Sequence, residues 1–310
     1  MSSSKHPTWL HRLPVGNENL NPMKQHPQSA SSRDDRTLGG IVFLCSALIF
    51  LPTIKWVFDL TQTHSQALHA FIILAGASAF LIYERRERLT FHFQLNKPSV
   101  ILIAVSYLLL ALIYLVHQPL LIFPSFCTAL ASFGLFLFGR ERVRIISSII
   151  GAFFLFLTLI LFLPVLDWPL RTGAGVGSAE VLSFLGHTTD LKLYTGQPPA
   201  LILINDGQNF HVAPECNGFG VITASALLSL LLVLYRRISY LSKFTTFVLA
   251  IISGFIFNTL RIVIIVMLAP KVGMQNYHIM HEIVGLITYY SCLILVWFFI
   301  MKWPQKKKVT

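Results

Sequence analysis

Three residues of bond-making type stand in the last third of the 310-residue sequence: Cys216, Arg261 and His281. Cys216 lies in Pro214-Glu215-Cys216-Asn217-Gly218-Phe219-Gly220, at the boundary between a polar segment and an apolar run. A thiolate is a strong nucleophile, and the unpaired N–H groups and dipole at the first turn of a helix favour its ionised form. Amides that follow, at Asn217 and Gly218, could donate to an oxyanion. The same position also suits a structural cysteine at a helix end, and position alone leaves both readings open.

Arg261 is more informative, because it interrupts an apolar run. A guanidinium at the centre of a membrane span costs roughly 2.5–3.5 kcal/mol on insertion scales, so such residues face the interior of a bundle and mark sites. Asn258, three residues earlier, shares its helical face. The competing reading is an arginine that snorkels to the surface or pairs with Glu215 or Glu282. In His281-Glu282-Ile283-Val284-Gly285 an imidazole could deprotonate a thiol and later protonate a departing amine. His278 is a rival one turn away, and a lone histidine at such a position is also a common surface residue.

Other chemistries fit less well. Cys216, His211, His278 and His281 follow no recurrent zinc spacing, and no cofactor or metal is expected. No G-x-S-x-G elbow is present. Cys45, Cys127 and Cys292 fall inside apolar runs, where a thiol acts as a small hydrophobe, and no C-x-x-C pair occurs.

The elements that must position these residues are membrane helices. The chain is 55% hydrophobic and only 12% charged. Apolar runs near twenty residues recur at 38–57, 67–83, 98–116, 119–138, 145–166, 217–235, 244–269 and 281–301. The expected fold is an all-α integral membrane protein of about eight transmembrane helices. The net charge of +11 comes from short basic loops between apolar runs rather than from a nucleic-acid surface, so no nucleic-acid partner is expected and membrane lipid is. The division expected is a disordered cytoplasmic tail at 1–37, a five-helix part at 38–166, an outward segment at 167–215, a three-helix catalytic part at 216–302 and a basic tail at 303–310. Within the outward segment, Gly-rich and Pro-rich stretches surround two β-prone runs, Leu191–Tyr194 and Leu201–Asn205. They predict a small hairpin turning near Gly196–Pro199.

Charge asymmetry predicts orientation. Nineteen of the 24 lysines and arginines fall on one side: five in 1–37, four in 84–97, three at 140–144, three at 236–243 and four from Lys302 onward. Only Lys55, Arg171, Lys192 and Lys271 fall on the other, and Arg261 lies within a span. Both termini are therefore expected in the cytoplasm, with Cys216, the outer half of the Arg261 span and His281 together at the extracytoplasmic face.

A Cys-x-Gly opening one span, an Asn-x-x-Arg inside the next and a His-x-x-x-Gly opening the last resembles the exosortase/archaeosortase family, most strongly over 165–302. Asn217 stands where a serine often follows the cysteine, and Phe219 replaces a small aliphatic residue. The resemblance implies a polytopic cysteine transpeptidase of the cytoplasmic (inner) membrane, sortase-like by convergence. Its protein substrates would carry a C-terminal sorting signal: a short motif such as Pro-Glu-Pro, a transmembrane helix and a basic tail. It implies Cys216 as nucleophile, Arg261 as electrostatic stabiliser and His281 as general acid/base; Asn217, Gly218, Asn258, Glu282 and His278 are expected in supporting positions. A basic cytoplasmic tail would put the substrate's motif at the same face as the cluster. A polytopic transporter and an inactive assembly protein are the readings from other classes. No internal repeat or pair of broken helices supports the first. Oligomeric state is not legible.

Overall fold

With no water to satisfy backbone groups inside a bilayer, an apolar chain pairs them within its own segment and becomes helical. The computed structural model describes residues 31–302 apart from 64, 85–90, 92, 195–198, 237, 274 and 275. The described residues form nine α-helices: α1 (Ser31–Ile49), α2 (Leu51–Thr63), α3 (Ser65–Glu84), α4 (Lys97–Val116), α5 (Ile122–Phe138), α6 (Val143–Phe184), α7 (Phe219–Tyr235), α8 (Tyr240–Val272) and α9 (Tyr277–Lys302). Three strands lie between α6 and α7: β1 (Thr189–Tyr194), β2 (Ala200–Asn205) and β3 (Gln208–His211).

Length and apolarity qualify five helices to cross a membrane (α3, α6, α7, α8 and α9), against the eight spans expected. A sixth is added if α1 and α2, bent by 53° beside Pro52, form one span. The apolar stretches Lys97–Ile113 of α4 and Ile122–Phe138 of α5 are shorter. These two helices are fastened by reciprocal serine bonds, Ser106 Oγ to Ser125 O and Ser125 Oγ to Ser106 O, each 2.8 Å. Residues 31–37, expected in a disordered tail, open α1 instead, while 1–30 and the basic tail 303–310 lie outside the described residues.

The bundle is built around α7, whose apolar window is 78% buried, against 22–39% for the other four long helices. Helices α3, α6, α8 and α9 all pack on it. The outer helices divide into two faces. Along α9 the buried residues recur every fourth position, at Met280, Val284, Thr288, Cys292, Val296 and Ile300, while Ile283, Ile287, Ile294 and Phe298 are exposed. Exposed apolar stripes of this kind face lipid.

Helix α6 departs most from expectation. It runs for 42 residues, through Pro164 and Pro169, so 167–184 is helix rather than outward loop. The glycines from 173 to 177 are helical and face neighbouring elements, Gly175 at close approach. A β-carbon on Gly173 or Gly177 would meet Phe255 or Thr259 of α8 at about 3.5 Å, and one on Gly175 would lie 3.0 Å from Leu201 of β2. At 1.5 Å per residue, 42 residues exceed the roughly 30 Å needed to cross hydrocarbon, and the last turns carry the sheet.

The sheet is antiparallel in the order β1-β2-β3, one strand more than expected. The turn expected near Gly196–Pro199 falls mostly on 195–198, outside the described residues. β2 and β3 are joined by Asp206 and Gly207, both at positive φ (48° and 79°), the backbone of a tight two-residue hairpin. Asp206 accepts from the N–H and hydroxyl of Thr188, each at 3.0 Å, and the His187 imidazole beside it holds its carboxyl below the usual carboxylate range. Leu201, Leu203 and Val212 bury one sheet face with Ala174 and Leu182 of α6 and with Cys216.

The close crossing of α7 and α8 supplies a prediction. A β-carbon on Gly254 of α8 would lie 2.8 Å from the Ile222 α-carbon of α7. Gly254→Val should lower stability by about 1–3 kcal/mol through overpacking, read as a fall in the thermal unfolding midpoint in detergent. A midpoint equal to that of the unsubstituted protein would refute this crossing.

Candidate active site

The polypeptide leaving β3 makes a single turn of 3-10 helix, Pro214–Cys216, before α7 begins at Phe219. Cys216 is thus not in the first turn of α7, as expected, but in a separate turn ahead of it. The amides expected to serve an oxyanion are mostly committed. Cys216 N–H donates to Ala213 O at 2.9 Å, Asn217 N–H to Pro214 O at 3.2 Å, and Phe219 N–H to Asn217 Oδ1 at 2.8 Å. Gly218 then enters the helix at φ 80°, and a β-carbon there would lie 2.6 Å from Asn258 Cγ. Glycine is required on both counts.

Asn217 also donates through Nδ2 to Asp167 Oδ1 at 2.5 Å. Asp167 is ion-paired with Arg171 one helical turn on, and the buried Arg171 lies over the Trp168 ring at 5.5 Å. Neither Asp167 nor Arg171 is among the sequence-predicted site residues. Their i,i+4 spacing was the available signal, and it was obscured by reading 167–215 as loop.

Helix α8 holds the same turn from the other side. Asn258, 1% exposed, donates through Nδ2 to Cys216 O at 2.9 Å. Arg261 donates through Nη1 to Glu215 O at 3.3 Å. Among the described residues Arg261 forms no ion pair with the carboxylates of Glu215 or Glu282, so its partner is the main chain of the cysteine turn.

His281 comes from the second turn of α9. Its Nε2 lies 3.5 Å from Cys216 Sγ and 3.5 Å from Arg261 Nη2. A guanidinium only donates, so its approach favours the tautomer with a bare Nε2 and the proton on Nδ1. That nitrogen can then receive the thiol proton. Glu282 is mostly exposed and 4.0 Å from Nδ1, too far for a hydrogen bond, while His278 is exposed. Gly285, one turn after His281, makes room for Arg261: a β-carbon there would lie 3.1 Å from Nη2. The His-x-x-x-Gly spacing thus has a steric cause.

Cys216 and His281 open onto a cleft of about 690 Å³ between β3 and the facing helices α8 and α9. Behind Arg261 lies a smaller cavity of about 120 Å³. Gln66 Oε1, Asn258 Oδ1, Arg261 Nε and Tyr289 OH, all on its lining residues, are buried without a partner among the described residues. Its size and polarity suit water. His211 and His278 line the first cleft, but no three His, Cys, Asp or Glu among the described residues are grouped as metal ligands.

A family model described as transmembrane exosortase (Exosortase_EpsH) matches residues 56–298. The chain belongs to the transmembrane exosortase family. No curated protein and no solved structure matches it. The family's match spans α2 to α9, so it contains every residue of the cluster, Asp167 and Arg171 included.

In this exosortase the guanidinium and the thiol meet the same His281 nitrogen, and a nearby opposite charge favours an anion at the sulfur. Arg261→Leu should therefore slow alkylation of the Cys216 peptide at neutral pH by roughly tenfold or more. Gly285→Val should act in the same direction by displacing Arg261. The rates are read by mass spectrometry of iodoacetamide-treated protein, and equal rates in all three proteins would remove Arg261 from the site.

Proposed function

We propose that this protein is a membrane-embedded cysteine protease or transpeptidase that cleaves C-terminal sorting signals at the extracytoplasmic face of the inner membrane. One observation carries the reading: the Cys216 sulfur and the Arg261 guanidinium converge on the same nitrogen of His281, each at 3.5 Å, and Cys216 and His281 line an open cleft.

The chemistry follows from the roles each group can take. His281 Nε2 accepts the Cys216 proton, and the thiolate attacks the carbonyl carbon of the scissile peptide bond. The oxygen gains negative charge in a partly dry site, where Arg261 stabilises it. As the tetrahedral species collapses, His281 returns the proton to the departing nitrogen, leaving a thioester on Cys216. An incoming amine or water loses a proton to His281, attacks the thioester and releases the sulfur as thiol. Asn258, Asn217 and Asp167 keep the cysteine turn in register through these steps.

The distribution of charge supports the orientation. Helix α7 runs from the cysteine turn to Tyr235, which bonds Glu84 at the far end of α3, and Arg236 donates to Ile300 O near the end of α9. Arg140, Arg142, Arg144, Lys243 and Lys302 adjoin this same end through the starts of α6 and α8 and the end of α9. The positive-inside rule puts that end in the cytoplasm and Cys216 opposite. A substrate with a basic cytoplasmic tail then presents its motif to the cleft, and α1–α5 offer the lateral surfaces on which its helix can lie.

A co-expressed reporter ending in a short motif, an apolar helix and an arginine-rich tail tests this. Processing should vanish in Cys216→Ala and fall by at least roughly a hundredfold in His281→Ala and in Arg261→Lys, which cannot reproduce the fork. Continued cleavage by Cys216→Ala would overturn the assignment. Membrane-impermeant maleimide should label Cys216 in intact spheroplasts; labelling confined to inverted vesicles would overturn the orientation.

A further inference from the structure

Strand β3 has one partner. It pairs with β2 through Gln208, Asn209, Phe210 and His211, and the sheet ends there. The register closes the hairpin at Asn205 and Gln208, and Val212 N–H donates to Leu201 O at 2.9 Å. Antiparallel ladders alternate, so Gln208, Phe210 and Val212 spend their main-chain groups on β2. The N–H and C=O of Asn209 and His211 therefore point the other way. Among the described residues no backbone hydrogen bond reaches them.

That free edge is one wall of the cleft holding Cys216 and His281. The opposite wall is apolar: Ile262, Ile265, Val266 and Ala269 of α8. Two donor–acceptor pairs two residues apart repeat at about 6.6 Å, the period of an extended peptide and not of an acyl chain. The cleft, about 690 Å³, lies within the range of roughly 300–1,000 Å³ usual for ligand sites. Its lining contains His211, His278 and His281 and no carboxylate, which complements a neutral or acidic segment and opposes a basic one. The edge is also continuous with the chemistry, since the chain leaving His211 reaches Cys216 five residues later through the fixed turn.

We infer that the substrate's signal segment binds as a fourth strand, pairing its main chain with Asn209 and His211 of β3. Its alternate side chains then face the apolar wall of α8, and the strand register selects which carbonyl meets Cys216 Sγ. This rests on the reading of Cys216 as nucleophile.

Proline distinguishes main-chain pairing from side-chain contact. Asn209→Pro and His211→Pro remove only outward N–H groups, leaving the β2 ladder its donors. Each should process the co-expressed reporter at least tenfold more slowly than the alanine variant at the same position, with the Cys216 alkylation rate unaltered. Equal processing by proline and alanine variants, in a protein whose Cys216→Ala form is inactive, would overturn strand addition and leave the nucleophile in place. If the Cys216→Ala form still cleaves, it is the proposed function that fails. Should proline unfold the hairpin, Asn209→Cys in a Cys216→Ala background supplies a second reading. Disulfide yield with single cysteines along the reporter's signal segment should alternate with a period of two, and a uniform or helical pattern would overturn the inference.

Discussion

A guanidinium within a membrane helix must find partners, and in this protein the half-buried Arg261 finds one in the main chain of the residue before Cys216. Arg261 donates to Glu215 O while Asn258, one turn away, donates to Cys216 O. Both donors stand on α8, a regular helix packed against the buried α7. The turn that carries the thiol is therefore positioned by the membrane bundle rather than by its own loop. Almost everything else near the site is shaped around this arrangement. Gly218 lacks a side chain because Asn258 occupies the space, and Gly285 lacks one because Arg261 does.

The charge is stabilised without a carboxylate partner. An ion pair would have neutralised the guanidinium and fixed it to an acid, whereas one main-chain carbonyl, Glu215 O, accepts from it and leaves its field intact near Cys216. Another carboxylate near the turn, Asp167, is used differently: it pairs with Arg171 and accepts from Asn217. Two arginines thus flank the cysteine turn, one directed at the reacting groups and one at the support of Asn217.

Much of this was legible in the sequence, for a physical reason. In a chain with so few charges, an arginine within an apolar run and a histidine at the head of another are costly enough to stand out, and Asn258 could be placed with Arg261 by helical spacing alone. What could not be read followed from one ambiguity. Glycine and proline mean turn in water and close approach in a helix bundle, so the stretch from Asp167 through Gly177 looked like loop although it continues α6. With it went Asp167 and Arg171. Strand β3 escaped for another reason: Gln208–His211 is short and polar, and only pairing with β2 makes it a strand. The commitment of the Cys216 and Asn217 amides to their own turn is likewise a tertiary fact.

The glycines of α6 couple the bilayer interior to the site in a way that composition does not announce. Gly173 and Gly177 lie where α6 meets α8, and Gly175 sets how near β2 approaches α6. One wall of the cleft hangs from α6 through the sheet, and the other is α8 itself. The width of the cleft beside Cys216 therefore depends on how closely β2 seats on α6, a distance that a single methyl group at Gly175 would change.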